Sequence, residues 1–198
     1  MFTWIPIHEE TAKRLLEFKD RNLELVQILG RMHEAGLKAT SINDRGSDGA
    51  EFPLKEIDPF TFLANFNRPV TDDNRRALWG TLKDEWHLTS ELPQDFDGLP
   101  VANPQASWLM PYARERSAEH VPLLWQFFEH IMSATPETLD TDLMQKCLDL
   151  HKVGFATLTM GMFWACPQKW ISADAKNLGF SKTKGLPEPP KTAIGYAA

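Results

Sequence analysis

Between Glu9 and Ala35 apolar residues recur as Ala12, Leu15, Leu16, Leu23, Val26, Leu29 and Met32. That is helical spacing with one wide buried stripe, and it predicts a long amphipathic helix at the start of the chain. Gly36 follows at once with Leu37 behind it, the pattern of a glycine-terminated helix whose next residue folds back onto the last turn. Trp4, Ile5 and Ile7 precede the stripe and are expected to pack on its first turns.

The same period returns further along. Lys38 to Phe52 is rich in turn formers and reads as a loop, and Leu54 to Asn67 reads as a short helix with Pro59 in its first turn. Thr71 is placed to cap a helix that buries Leu78, Trp79, Leu82 and Trp86, with Asp72 and Asp73 at its positive end. Leu88 to Arg116 carries Pro93, Pro100, Pro104 and Pro111 and reads as a long irregular segment, with a short strand expected at Ser107 to Met110. Ser117 is expected to cap the next helix, Thr135 and Pro136 to start another, and Thr157 to Ala165 to lie in the core as a helix or a buried strand, its two methionines favouring helix. No strand–helix alternation suggests a parallel sheet. The expected fold is mainly α: one compact helical domain over residues 1–180 with a long irregular segment and one or two short strands, then a tail or linker over 181–198.

Composition narrows the class. Hydrophobic residues make up 42% of 198, enough for a real core. The most apolar run, Val153 to Cys166, is interrupted by Gly154, Thr157, Thr159 and Gly161, and falls short of the roughly 20 apolar residues a membrane span needs. Met1 to Glu10 has no basic region followed by an apolar stretch, so no signal peptide is expected. Cys147 and Cys166 sit in apolar surroundings and read as free thiols of a reducing, cytoplasmic compartment. A net charge of −6 argues against a non-specific nucleic-acid coat but leaves room for a local basic patch. From Pro167 onward Lys169, Lys176, Lys182, Lys184 and Lys191 face only Asp174 and Glu188, so the rest of the chain is more acidic than the total.

Familiar catalytic signatures are missing. Gly179-Phe-Ser-Lys-Thr-Lys-Gly185 lacks the spacing of a phosphate loop, and neither G-x-G-x-x-G nor G-x-S-x-G occurs. The six histidines show no metal-ligand spacing. Asp95 and Asp97, two residues apart in a turn, fit capping of backbone N–H groups, polar contact to a ligand, or acid–base work. No cofactor and no metal are expected, and the chain is not expected to be an enzyme.

Four stretches in order carry a resemblance. They are Ile57-Asp-Pro-Phe-Thr-Phe-Leu-Ala-Asn-Phe-Asn-Arg68, Asp95-Phe-Asp-Gly-Leu-Pro-Val101, Ala106-Ser-Trp-Leu-Met110 and Leu158-Thr-Met-Gly-Met-Phe-Trp164, with Trp4 and Leu15-Leu-Glu-Phe-Lys19 ahead of them. Together, over about residues 3–174, they resemble the N-terminal region ahead of the motor in McrB-like AAA ATPases of modification-dependent restriction and phage-defence systems. The resemblance implies a recognition domain that reads DNA, often a modified base, for a separate ATPase motor and a nuclease partner. The sequence departs from that pattern at Pro69, where glycine is common, and after Asp174. No motor motif lies within the chain, which fits a domain excerpt or a free-standing relative.

The residues expected to touch DNA are inferred from their chemistry. Asn67 and Arg68 stand between two helices, where Arg offers a planar fork for phosphate or guanine and Asn can pair with adenine, or where both knot the turn structurally. Arg75 and Arg76 extend a basic patch or line a solvated helix face. Trp108 is placed to stack on a base or to plug the core, Asp97 to contact the ligand, and Tyr112, Arg114 and Arg116 to form an aromatic-basic group beside Trp108 that contacts phosphates or a partner protein. The alternatives are an assembly module that binds a partner protein of the same system and, third, a nucleic-base-processing enzyme acting through Asp95 or Asp97.

Overall fold

Asp58 shows how local chemistry sets the centre of the molecule. Its Oδ1 accepts from the N–H groups of Phe60 and Thr61, at 3.0 and 2.9 Å, and starts helix α3 (Pro59–Ala64) with Pro59 in the first turn. Every residue of α3 is buried. It lies between α5 (His120–Ser133) and α7 (Phe155–Ala165), and the Trp125 indole donates to the Ile57 carbonyl at 3.1 Å. The approach of α7 to α3 depends on Gly161, where an added Cβ would sit 2.6 Å from Cδ1 of Phe60.

The computed structural model describes residues 2–68, 70–102, 109–186 and 191–197. The fold is mainly α, as expected. The opening stripe is not one helix. It divides into α1 (Ile5–Leu15), a 3₁₀ segment (Leu16–Arg21) and α2 (Asn22–Glu34). The tighter winding turns Phe18 inward to stack on Trp86, with centroids 4.8 Å apart. It also rotates the buried face, so Leu25 and Ile28 join Val26, Leu29 and Met32 inside while Leu23, expected in the stripe, is exposed.

The loop expected after Gly36 contains a hairpin, β1 (Asn43–Arg45) antiparallel to β2 (Glu51–Pro53), with Arg45 opposite Glu51. Helix α4 (Asp72–Trp86) is capped by Thr71 as expected, its hydroxyl accepting from Asn74 N–H at 3.2 Å. Helix α5 begins at His120, not under a Ser117 cap; the Ser117 carbonyl accepts from His120 N–H instead. Thr135 and Pro136 open a 3₁₀ turn (Pro136–Thr138), and Asp140 caps α6 (Thr141–Leu148). Leu109 and Met110 form a bend where a strand was expected, and Ser107 and Trp108 lie outside the described residues.

The chain from residue 181, expected as a tail or linker, continues α8 (Ala175–Thr183) and then forms α9 (Ala193–Ala197), which docks on α6. Ala193 is buried, and the Tyr196 hydroxyl donates to the Ile171 carbonyl at 2.8 Å while its ring meets Phe155 edge-on. Short apolar content hides this docking in the sequence, because few side chains carry it. Among the described residues no helix is long and apolar enough to cross a membrane.

Candidate functional site

The end of α3 leaves backbone carbonyls without helical partners, and α4 supplies the donors. Arg75, one turn into α4 and only 4% exposed, donates Nε to the Phe66 carbonyl at 2.8 Å and Nη2 to the Arg68 carbonyl at 2.9 Å. Its Nη1 reaches Asp72 at 3.1 Å, and the guanidinium covers the Phe96 ring at 4.7 Å. Burial pulls its pKa below the ordinary arginine value, partly opposed by Asp72. Arg76 donates to the carbonyls of Pro93 and Gln94, at 3.2 and 3.1 Å, and pairs with Asp73. These two guanidiniums therefore hold the α3 exit and the irregular segment against α4. Asn67 is fully buried; its Nδ2 donates to the Leu63 carbonyl, its backbone carbonyl accepts from Ala102 N–H, and among the described residues its Oδ1 has no donor.

Arg68 differs. It is half-buried and donates Nη1 to the Ala39 carbonyl at 3.0 Å. Its Nε is buried without an acceptor, and among the described residues it makes no ion pair. Burial lowers its pKa, but an arginine stays protonated. The neighbouring residue on that segment, Lys38, donates its N–H to Oδ1 of Asn74 at 2.9 Å. This bond fixes the amide orientation and leaves Nδ2 of Asn74 buried and unpaired. Two buried donors without acceptors thus flank Lys38–Ala39, where the Lys38 side chain is exposed.

A second basic group lies further along the same segment. The exposed Tyr112 ring has the Arg45 guanidinium 5.3 Å and the Arg114 guanidinium 5.7 Å from its centroid. Arg45 shares its charge with Glu51 at 2.6 Å, and Arg114 lies 3.6 Å from Glu115, both in exposed positions. Beneath them Asp44 accepts from Arg116 at 2.8 Å and from Ala113 N–H at 2.7 Å, which ties the hairpin to the 3₁₀ turn at Ala113–Glu115.

Among the seven described candidates Arg75 bonds the Arg68 carbonyl, Arg75 and Arg76 share the Phe96 ring, and Arg114 lies over Tyr112. Asp97 is exposed, but its carbonyl accepts from the Trp4 indole at 2.9 Å and its N–H donates to Asp95. Asp95 in turn accepts from the Thr3 hydroxyl at 2.8 Å, so the acidic turn caps backbone and closes over the N-terminus. Trp108 lies outside the described residues. Sequence reasoning missed Lys38, Arg45 and Asn74. Thr71 and Asp72 marked the helix on which Asn74 stands, but nothing local pairs Arg45 with a tyrosine that lies far along the chain.

No curated protein matches the chain, and no solved structure does. One family profile, "Domain of unknown function (DUF8425)", matches residues 4–195 and so spans α1 to α9. The chain belongs to the DUF8425 family.

Proposed function

We propose that this chain is a non-catalytic DNA-recognition module of a restriction or phage-defence ATPase system, acting in the cytoplasm beside a separate motor and nuclease. The observation that carries the reading is the pair of buried donors, Arg68 Nε and Asn74 Nδ2, that lack acceptors beside Lys38. An unpaired donor out of water costs about 1–3 kcal/mol, and more when it is charged. A phosphate oxygen is the acceptor that the Arg68 guanidinium lacks, and Lys38 adds a second positive charge beside it. The ordered resemblance to McrB-like N-terminal regions, which includes Arg68 itself, supports the same ligand.

Arg45, Tyr112 and Arg114 extend the contact. The chain from Lys38 to Arg45 spans at most about 25 Å, within reach of successive phosphates on one duplex. The Tyr112 ring presents a face on which an unstacked base can lie. Arg75, Arg76 and Asn67 serve as the frame that holds Arg68 in place.

Anisotropy titration of labelled modified and unmodified duplexes over a salt series tests this reading. The expected result is salt-dependent binding, with Arg68→Ala lowering the log–log salt slope by about 1. Arg68→Lys is expected to recover only part of the affinity, because a single ammonium does not reproduce the fork. No binding at low salt sinks the proposal.

A further inference from the structure

Among the described α-helices α8 buries none of its residues. Its N-terminus is closed by its own Asp174, which accepts from the N–H groups of Lys176 and Asn177. Asn177 ties it to the body through the Ser172 carbonyl at 2.8 Å. Past that point its side chains face outward. Phe180 is 63% exposed and Leu186 59%. Lys176, Phe180 and Lys184 stand four residues apart in succession and share one face, with Lys184 Nζ 5.4 Å from the Phe180 ring centroid. Around the helix, Leu178, Gly179, Ser181, Lys182 and Leu186 line a hollow of about 330 Å³.

A nine-residue helix with Gly179 inside it is marginal on its own, and an exposed phenylalanine on it gains nothing from water. Apolar side chains ringed by lysines match one kind of surface: apolar side chains ringed by carboxylates. Phosphates match the lysines but leave Phe180 and Leu186 wet. Pairing of α8 with α8 of a second copy would bring lysine against lysine. We infer that the exposed face of α8 is a docking surface for an acidic amphipathic helix of a partner protein. Apolar anchors of that helix would cover Phe180 and fill the hollow beside Leu186, and its carboxylates would meet Lys176, Lys182 and Lys184. This surface shares no residue with the Arg68 site.

The test is selection of a displayed library of random 16-residue peptides on the immobilised full chain, followed by anisotropy titration of the recovered peptides. Enrichment of acidic sequences with apolar residues three or four apart is expected. Phe180→Ser with Leu186→Ser, and separately Lys176→Glu with Lys182→Glu and Lys184→Glu, should each weaken those peptides at least tenfold. All five positions are on the surface, and an unchanged thermal melt shows that each variant is folded. Arg68→Ala should leave peptide binding intact, which separates this inference from the DNA reading. No enrichment, enrichment of basic peptides, or peptides that bind both α8 variants unchanged overturns it. So does sedimentation showing a dimer that Phe180→Ser dissolves, since the occupant is then a second copy. Loss of duplex affinity in the lysine variant as large as in Arg68→Ala overturns it too, because α8 is then a DNA surface.

Discussion

The Nε of Arg75 lies 2.8 Å from the carbonyl oxygen of Phe66, and this bond joins the start of α4 to the exit of α3. A second donor of the same guanidinium holds the Arg68 carbonyl. Removing Arg75 strands the Phe66 carbonyl and leaves the Arg68 carbonyl, among the described residues, with the Val70 N–H alone. Arg75→Ala is therefore expected to lower unfolding free energy by about 3 kcal/mol, and Arg75→Lys to recover little of it. Urea unfolding measures both. A midpoint equal to that of the parent chain would show that the guanidinium is dispensable to the fold.

His8 predicts a pH dependence. It is fully buried between Trp4 and Trp79, and its Nδ1 lies 3.2 Å from the Trp164 carbonyl, to which it donates in the neutral form. Burial lowers its pKa to about 3; the Trp164 carbonyl opposes that shift and the Arg75 charge adds to it. The folded state therefore refuses a proton that the unfolded chain accepts below its ordinary value near 6.5. Stability from this group is complete above pH 6.5 and declines by about 1.4 kcal/mol per pH unit as pH falls toward 3. Urea midpoints at pH 7.5, 6.5, 5.5 and 4.5 should show a steeper decline for the parent chain than for His8→Gln. Parallel curves would refute the assignment.

Asp44 and Arg116 form an ion pair with side chains 2% and 8% exposed. Burial alone would raise the Asp44 pKa, but the hydrogen bonds from Ala113 N–H, Arg116 and Arg45 N–H outweigh it and hold the carboxyl below the usual range. The stability it contributes is present above about pH 3.9 and is lost as pH falls below that. Breaking one side of a buried pair costs about 3–5 kcal/mol. Asp44→Asn and Arg116→Ala are each expected to loosen the hairpin, read as faster amide exchange at Arg45 and Ala113. The same variants should weaken DNA binding through Tyr112.

Gly161→Ala places a methyl group 2.6 Å from Phe60 in a core without slack. The expected loss is about 1–3 kcal/mol. Phe60→Leu in the same chain should recover part of it, so the double-mutant cycle is non-additive. Additive losses would mean that the two side chains do not meet.

Tyr196→Phe removes the hydroxyl that bonds the backbone of Ile171 from both sides. A loss of about 1 kcal/mol is expected, with faster exchange of the Ile171 amide. An unchanged exchange rate would show that α9 is not anchored there.

Much of the helical framework was legible in the sequence, because periodicity and caps are local. Thr71 before α4, Pro59 opening α3 and the apolar run of α7 each announce themselves within a few residues. Local signals misplace what depends on distant partners. The break at Leu16–Arg21 answers to Trp86, and the hairpin is held by Arg116. The arginines show the division most plainly. Sequence alone marks Arg68, Arg75 and Arg76 as three cations on neighbouring turns. Tertiary structure decides that all three bond backbone carbonyls and that Arg68 among them retains an unfilled buried donor, because an arginine's role depends on which acceptors the fold brings to it.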